Sequence, residues 1–146
     1  MVIDHIGIVV KAIEPAIDEW ERVFGYRPAT EIVTNTRQKV RVVFLSKAGS
    51  LPVKLVQATD STSPVFAFGQ RGGGLHHLCF KGTSLGSEID RLTALGARVL
   101  APPQPGEAFE NEDIAFLYAG GLNVELIDTD RRARRLQTGS ATGPSR

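Results

Sequence analysis

The sequence predicts an α+β fold made of two copies of one β-α-β-β-β unit, and three internal matches predict it. Asp4-His5-Ile6-Gly7-Ile8 answers His76-His77-Leu78-Cys79-Phe80 at an offset of 72 residues. Val42-Val43-Phe44-Leu45 answers Ile114-Ala115-Phe116-Leu117 at the same offset. Val53-Lys54-Leu55-Val56 answers Val124-Glu125-Leu126-Ile127 at an offset of 71. Each copy carries an inward His early and a polar residue late, so the two can build one site on a shared pseudo-twofold axis. The repeat breaks at Lys54, where the second copy has Glu125.

The elements follow in order. Val2 to Val10 is rich in β-branched residues and partly alternates, which predicts a strand. Glu14-Pro15 opens a helix, because Pro in the first turn loses no hydrogen bond. Ile13, Ile17, Trp20 and Val23/Phe24 fall on one face of it, and Gly25 ends it. Strands are expected at 29–34, 39–46 and 51–57, then a short helical turn from Ser63-Pro64 and a glycine-rich crossing at Gln70 to Gly74. The second unit repeats the order. Leu75 to Lys81 reads as a strand, and Ser84 to Leu95 as a helix with Leu85, Ile89, Leu92 and Leu95 inward. Strands are expected at 97–101, 113–118 and 122–128. Between them Pro102 to Glu112 reads as a long loop with three prolines and Phe109, placed to shape specificity.

Length and composition bound the rest. The chain of 146 residues, 42% hydrophobic and 23% charged with a net charge of +1, is that of one globular domain. We expect the domain over 1–130, its modules at about 2–60 and 75–128, and a disordered basic tail over 131–146 with no role. The near-zero charge gives no field favouring nucleic acid or a membrane surface, and apolar runs are strand-sized. Cys79 is the single cysteine, so no intrachain disulfide forms, and a cytoplasmic location is expected.

His5 and His77 are the first candidate site residues, since strand alternation lets both point into one concavity. Glu125 lies between Val124 and Leu126, where a carboxylate needs a partner or a cation. His, His and carboxylate together make a common metal set. His76 alternates to the other face and reads as a core or interface histidine. Lys54 has three possible meanings. It forms an ion pair with Glu125 where a metal would lie, or swings aside from a His5, His77, Glu125 triad, or becomes a neutral general base. Gln38, Arg41, Cys79 and Phe109 are candidates for substrate contact; for Cys79 the competing reading is a buried small hydrophobe.

Asp4-His5-Ile6-Gly7, Phe24-Gly25-Tyr26, Gly74-Leu75-His76-His77-Leu78 and Leu122-Asn123-Val124-Glu125-Leu126 together resemble the vicinal oxygen chelate superfamily. That superfamily includes glyoxalase I, methylmalonyl-CoA epimerase and the extradiol dioxygenases, and the look is closest to the methylmalonyl-CoA epimerase-like members. The resemblance implies that the two modules curl into an open mixed β-barrel with flanking helices, in a homodimer acting on a small-molecule substrate. It implies a divalent metal (Zn, Ni, Co or Fe) held by His, Glu or Gln, His and Glu, which fall on His5, Lys54, His77 and Glu125. The first, third and fourth match and the second departs. The epimerases also place a carboxylate base near the strand that here begins at Lys39, and Arg37-Gln38-Lys39-Val40-Arg41 supplies none. The expected activity is a glyoxalase- or epimerase-like lyase or isomerase acting on a small oxygenated substrate through an enediolate. In it Lys54 and Glu125 are catalytic, and Lys54 moves the proton. The alternatives are a metal-free small-molecule binding protein of the resistance type and an Fe(II) dioxygenase.

Overall fold

The structure is a computed structural model and describes residues 1–137. The first module comprises β1 (Val2–Val9), α1 (Ile13–Phe24), β2 (Arg27–Pro28), β3 (Val33–Asn35), β4 (Val40–Ser46) and β5 (Val53–Ala58). A short helix α2 (Phe66–Gln70) leads to the second module, with β6 (Gly74–Lys81), α3 (Leu85–Ala94), β7 (Arg98–Gly106), a 3-10 turn (Glu107–Phe109), β8 (Glu112–Ala119) and β9 (Leu122–Ile127). One mixed sheet takes the order β2-β4-β5-β1-β6-β9-β8-β7, with β3 also on β4. The sheet is open, and the modules join where β1 and β6 run antiparallel. The α+β class and the open mixed sheet match expectation.

The sheet is covered on both faces, which explains the nearly continuous apolar run of β4. Val40, Val42 and Phe44 point into the concave side with Val9, Val56, Phe109 and Ile114. Val43 and Leu45 point the other way and pack under α1 with Ile13 and Ala16. Leu85 of α3 covers Ala115, Leu117, Val124 and Leu126 in the second module. α1 and α3 start on the same device. The Ile13 amide donates to Gln57 Oε1 at 2.8 Å, and the Leu85 amide donates to Asp128 Oδ2 at 2.9 Å. Gly25, at φ 73°, closes α1 in a left-handed conformation that favours glycine.

Four expectations need correction. Val23, Phe24 and Leu95 are exposed, the first two in the last turn of α1 and Leu95 at the C-cap of α3. The expected strand at 29–34 is two short pieces, β2 and β3, which pair with β4 on either side of a break. The expected loop from Pro102 is largely strand, since β7 continues to Gly106 and pairs with β8. Its prolines are tolerated because β7 is an edge strand and needs donors on one side only. Residues 131–136 are ordered: the Ala133 amide donates to Ala108 O, the Leu136 amide to Ala29 O, and the Glu31 amide to Arg134 O. The expected disorder at 138–146 lies outside the described residues.

Candidate functional site

The site begins with the pairing of β1 and β6. His5 lies opposite Cys79, Ile6 opposite Leu78 and Gly7 opposite His77, so the pseudo-twofold axis passes near Ile6 and Leu78. The register shifts on both sides of this core, between Ile3 and His5 and between Gly7 and Ile8. Asp4 is the extra residue of one bulge and His76 of the other, and they are equivalent positions of the repeat. A bulge re-aims its residue, and that is its effect here. A small residue faces each inward histidine. A Cβ on Gly7 would lie 2.1 Å from His77 Cε1, so the ring occupies space that only glycine leaves free.

The later strands bring in the charged pair. Gly7 of β1 pairs with Lys54 of β5, and Cys79 of β6 with Glu125 of β9. Lys54 Nζ donates to both Glu125 oxygens, at 2.8 Å to Oε1 and 3.0 Å to Oε2. His5 Nε2 lies 2.9 Å and His77 Nε2 3.5 Å from the same Oε1. Neither approach is aligned as a hydrogen bond, so both buried Nε2 atoms lack one. His5, His77 and Glu125 can offer one ligand atom each within 4.8 Å of one another, a possible metal-ligand group. Phe44 and Phe116, again equivalent in the repeat, stand edge-on to the two imidazoles at 5.1 and 5.9 Å between centroids.

Behind each imidazole stands its predecessor in sequence. His5 Nδ1 donates to Asp4 Oδ2 at 2.7 Å, and Arg132 also binds that carboxylate. His77 Nδ1 lies 2.8 Å from His76 Nδ1. Such a partner fixes ring orientation and turns Nε2 inward. Arg132 also stacks over Phe44 and Phe109, at 4.6 and 4.8 Å to the ring centroids.

The electrostatics follow from burial. Glu125 is fully buried, which opposes its charge, but Lys54, His5 and His77 override that and hold its carboxyl well below the usual carboxylate range. Burial, with Lys54 adding to it, pushes His77 down to about 4. The same two causes lower His76. Burial, with Glu125 beside it, raises the Cys79 thiol well above its ordinary value. Burial of Asp4 is overridden by His5 and Arg132, which lower its carboxyl.

A cavity of about 370 Å³ opens above this constellation, and Lys54, His76 and His77 are among its lining residues. Glu125 and His5 lie beneath it, with 0% exposure. Gln38 lines the cavity, held by the Asn35 side chain, and Arg37 stands next to it. The other three candidates for substrate contact lie elsewhere. Arg41 points to the helix face of β4 and pairs with Glu14, because it alternates with the inward Val40 and Val42. Cys79 is fully buried opposite His5, and Phe109 is buried against His5 and Phe44. Asp4 and Arg132 behind His5, and Gln104 and Asn123 in the cavity lining, belong to the site although no sequence motif marks them, and His76, which alternation assigns to the outer face, lines the cavity. Bulges carry no sequence signal here, and Arg132 sits in a run that reads as a solvated tail. The offset of 72 that links Asp4 to His76 is the one signal that could have pointed to both.

The chain is similar to known proteins over most of its length. The family model described as the Glyoxalase/Bleomycin resistance protein/Dioxygenase superfamily matches residues 4–116. The uncharacterized protein YqjC of Bacillus subtilis (strain 168) is 31% identical over 127 residues, 86% of this chain and 89% of that one. An ethylmalonyl-CoA/methylmalonyl-CoA epimerase of Cereibacter sphaeroides is 24% identical over 131 residues, covering 88% of this chain and 96% of that protein. The crystal structure of methylmalonyl-CoA epimerase from Mycobacterium tuberculosis has a TM-score of 0.76 at 27% identity, with 87% of each chain covered.

Proposed function

The chain belongs to the glyoxalase/bleomycin resistance protein/dioxygenase superfamily, and from that footing we propose that it is an epimerase-type isomerase of a small oxygenated substrate. Its reaction removes and returns the proton on a carbon next to a carbonyl. The relatives that epimerise acyl-CoA esters make a branched acyl thioester the first substrate class to try. One observation carries the reading: a cation and two imidazoles, Lys54, His76 and His77, line the same cavity. Charge that leaves a C–H bond and collects on a carbonyl oxygen needs both a base and a positive group nearby.

The tautomers favour His76 as the base. We take His77 with its proton on Nε2, the nitrogen that faces the Glu125 carboxylate at 3.5 Å. His77 Nδ1 then accepts from the Nδ1–H of His76, and His76 Nε2 keeps a free lone pair. Lys54, whose N–H groups are directed at Glu125, serves better as a donor than as a base. No carboxylate is among the described residues that line the cavity, so a carboxylate base has no support there.

A divalent metal fits the donor atoms of His5, His77 and Glu125 but not the charge around them. Lys54 and Glu125 already cancel, and an added dication would leave two buried positive charges uncompensated. Two unit charges ~4 Å apart at an effective dielectric of 20 interact by about 4 kcal/mol, and a dication against an ammonium doubles that repulsion. No step is therefore drawn through a metal.

The test is proton exchange. The protein is incubated in D2O with methylmalonyl-CoA, ethylmalonyl-CoA and a hemithioacetal, and the α-proton is followed by NMR. Exchange of one member of the panel, slowed by a factor of about 10² to 10⁴ in His76→Asn, is the expected result. The Lys54–Glu125 bridge also favours a second reading, a binding module with an inert pocket. Failure of all three to exchange, with an unchanged ligand recovered from the native complex, would establish that reading instead.

A further inference from the structure

Where the second module has Glu125, the first has Lys54, and the two side chains meet across the pseudo-twofold axis. The ammonium is not a stray surface charge. It is buried at 4% exposure, bound to both oxygens of a fully buried carboxylate, and placed 5.4 Å from the Phe109 ring centroid and 5.9 Å from that of Phe44. An aromatic face attracts a cation, and a carboxylate at 2.8 Å neutralises it, so this is a cradle built for one positive charge. An ammonium has three N–H donors, of which Glu125 takes two. Lys54 also lines the cavity, which puts the third within the space a substrate enters.

We propose that Lys54 is a resident cation standing in for a divalent metal, neutralising Glu125 and offering its remaining N–H to the substrate carbonyl oxygen. The proposal rests on the isomerase reading for its chemical step. In that step the α C–H bond breaks, its proton passes to His76 Nε2, and its electron pair moves to form the C=C of an enolate. The carbonyl oxygen takes the negative charge and accepts a hydrogen bond from Lys54, which neither gains nor loses a proton. Return of the proton to the same face regenerates the substrate, and return from the imidazolium to the opposite face, after the enolate turns over in the cavity, gives the epimer and restores neutral His76. No metal, oxidant or reductant enters.

The inference predicts a site that excludes divalent ions until the lysine is removed. Metal per chain is measured by plasma mass spectrometry on native protein and after chelation with EDTA, and both samples are titrated with Co2+ and read by visible absorbance. Sub-stoichiometric metal, no tetrahedral Co2+ spectrum and unchanged proton exchange after chelation are expected. Lys54→Gln, refolded with Co2+, is expected to take up the ion stoichiometrically through His5, His77 and Glu125. Because that variant leaves Glu125 uncompensated and can fail to fold, Lys54→Met combined with Glu125→Gln serves as a charge-neutral companion. The companion is expected to stay folded, bind no Co2+ and lose exchange by a factor of about 10² to 10³, as when one oxyanion donor is removed. Stoichiometric metal in the native protein, or exchange that stops on chelation and returns with metal, overturns the proposal and leaves the isomerase reading intact. Absence of exchange with every substrate removes the isomerase reading, while the native Co2+ titration still decides whether Lys54 holds the metal's place.

Discussion

Lys54 and Glu125 are stable where they are only as a pair. Removing one partner strands a charge with no water to solvate it, which costs about 3–5 kcal/mol, whereas replacing both with neutral groups of similar size can cost far less. Lys54→Met alone should therefore lower the urea-unfolding free energy by that amount, and adding Glu125→Gln should recover most of it. Additive losses in that double-mutant cycle would mean that the bridge does not form. The same burial gives stability a pH dependence. His77 is pushed from its ordinary 6.5 to about 4, so between those values the unfolded chain holds a proton that the folded chain refuses. Its contribution is complete above pH 6.5 and is lost as pH falls toward 4, on the order of 3 kcal/mol. Glu125, held well below its ordinary 4.5, adds a further loss below that pH. His77→Gln should flatten the upper part of the profile and keep the lower part; an unchanged slope from pH 6.5 to 4 would rule out His77 as its source. Gly7→Ala should evict the His77 ring, since the new Cβ would lie 2.1 Å from Cε1. Overpacking of this kind costs about 1–3 kcal/mol, and the shifted His77 NMR resonance would separate it from a general loss of fold.

The elements show where sequence reading works and where it stops. Strand alternation points His5 inward, and it is buried on one face of β1 with Gly7 and Val9. The same rule sent His76 to the far face of β6, and the bulge opposite Gly7 and Ile8 brings it to the cavity instead. Proline content made a loop of a segment that is mostly edge strand, because a proline costs nothing on a side with no neighbour. A run of arginines read as a solvated tail, although Arg132 clamps Asp4 and covers two phenylalanine rings. None of these errors lies in propensity; each depends on a partner distant in sequence. The C-terminal segment gives a direct test. The amides of Glu31, Ala133 and Leu136 each donate across the joint between this segment and the core, and should be protected from hydrogen exchange. Arg132→Ala removes a charge-assisted contact worth about 1.5–3 kcal/mol and should speed exchange at all three sites together. Exchange at open-chain rates in the unaltered protein would show that the segment is not docked.

For the whole molecule, the 72-residue repeat did more than predict two modules. It located the axis, because equivalent positions of a pseudo-twofold pair must converge on it, and His5, His77 and the Lys54–Glu125 pair do. It could not state the size of the cavity or the orientation of any ring, which depend on bulges, caps and packing from both modules. Shared ownership of the site has a thermodynamic consequence. His5 and Lys54 belong to one module and His77 and Glu125 to the other, and β1 pairs with β6 along most of both strands. Unfolding one module would expose the β1 or β6 edge of the other and leave half of a buried ion pair uncompensated, a penalty of several kcal/mol against any half-folded state. Unfolding should accordingly be two-state. The chain reports this readily, because its single tryptophan, Trp20, lies on α1 of the first module while far-UV circular dichroism senses both. Urea transitions followed by Trp20 fluorescence and by circular dichroism should coincide in midpoint and slope. A fluorescence transition that separates from the dichroism would mean that the modules are independent and that the pair at the axis couples nothing. Coincidence in the native protein, with separation appearing in Lys54→Met, would assign that coupling to the bridge itself.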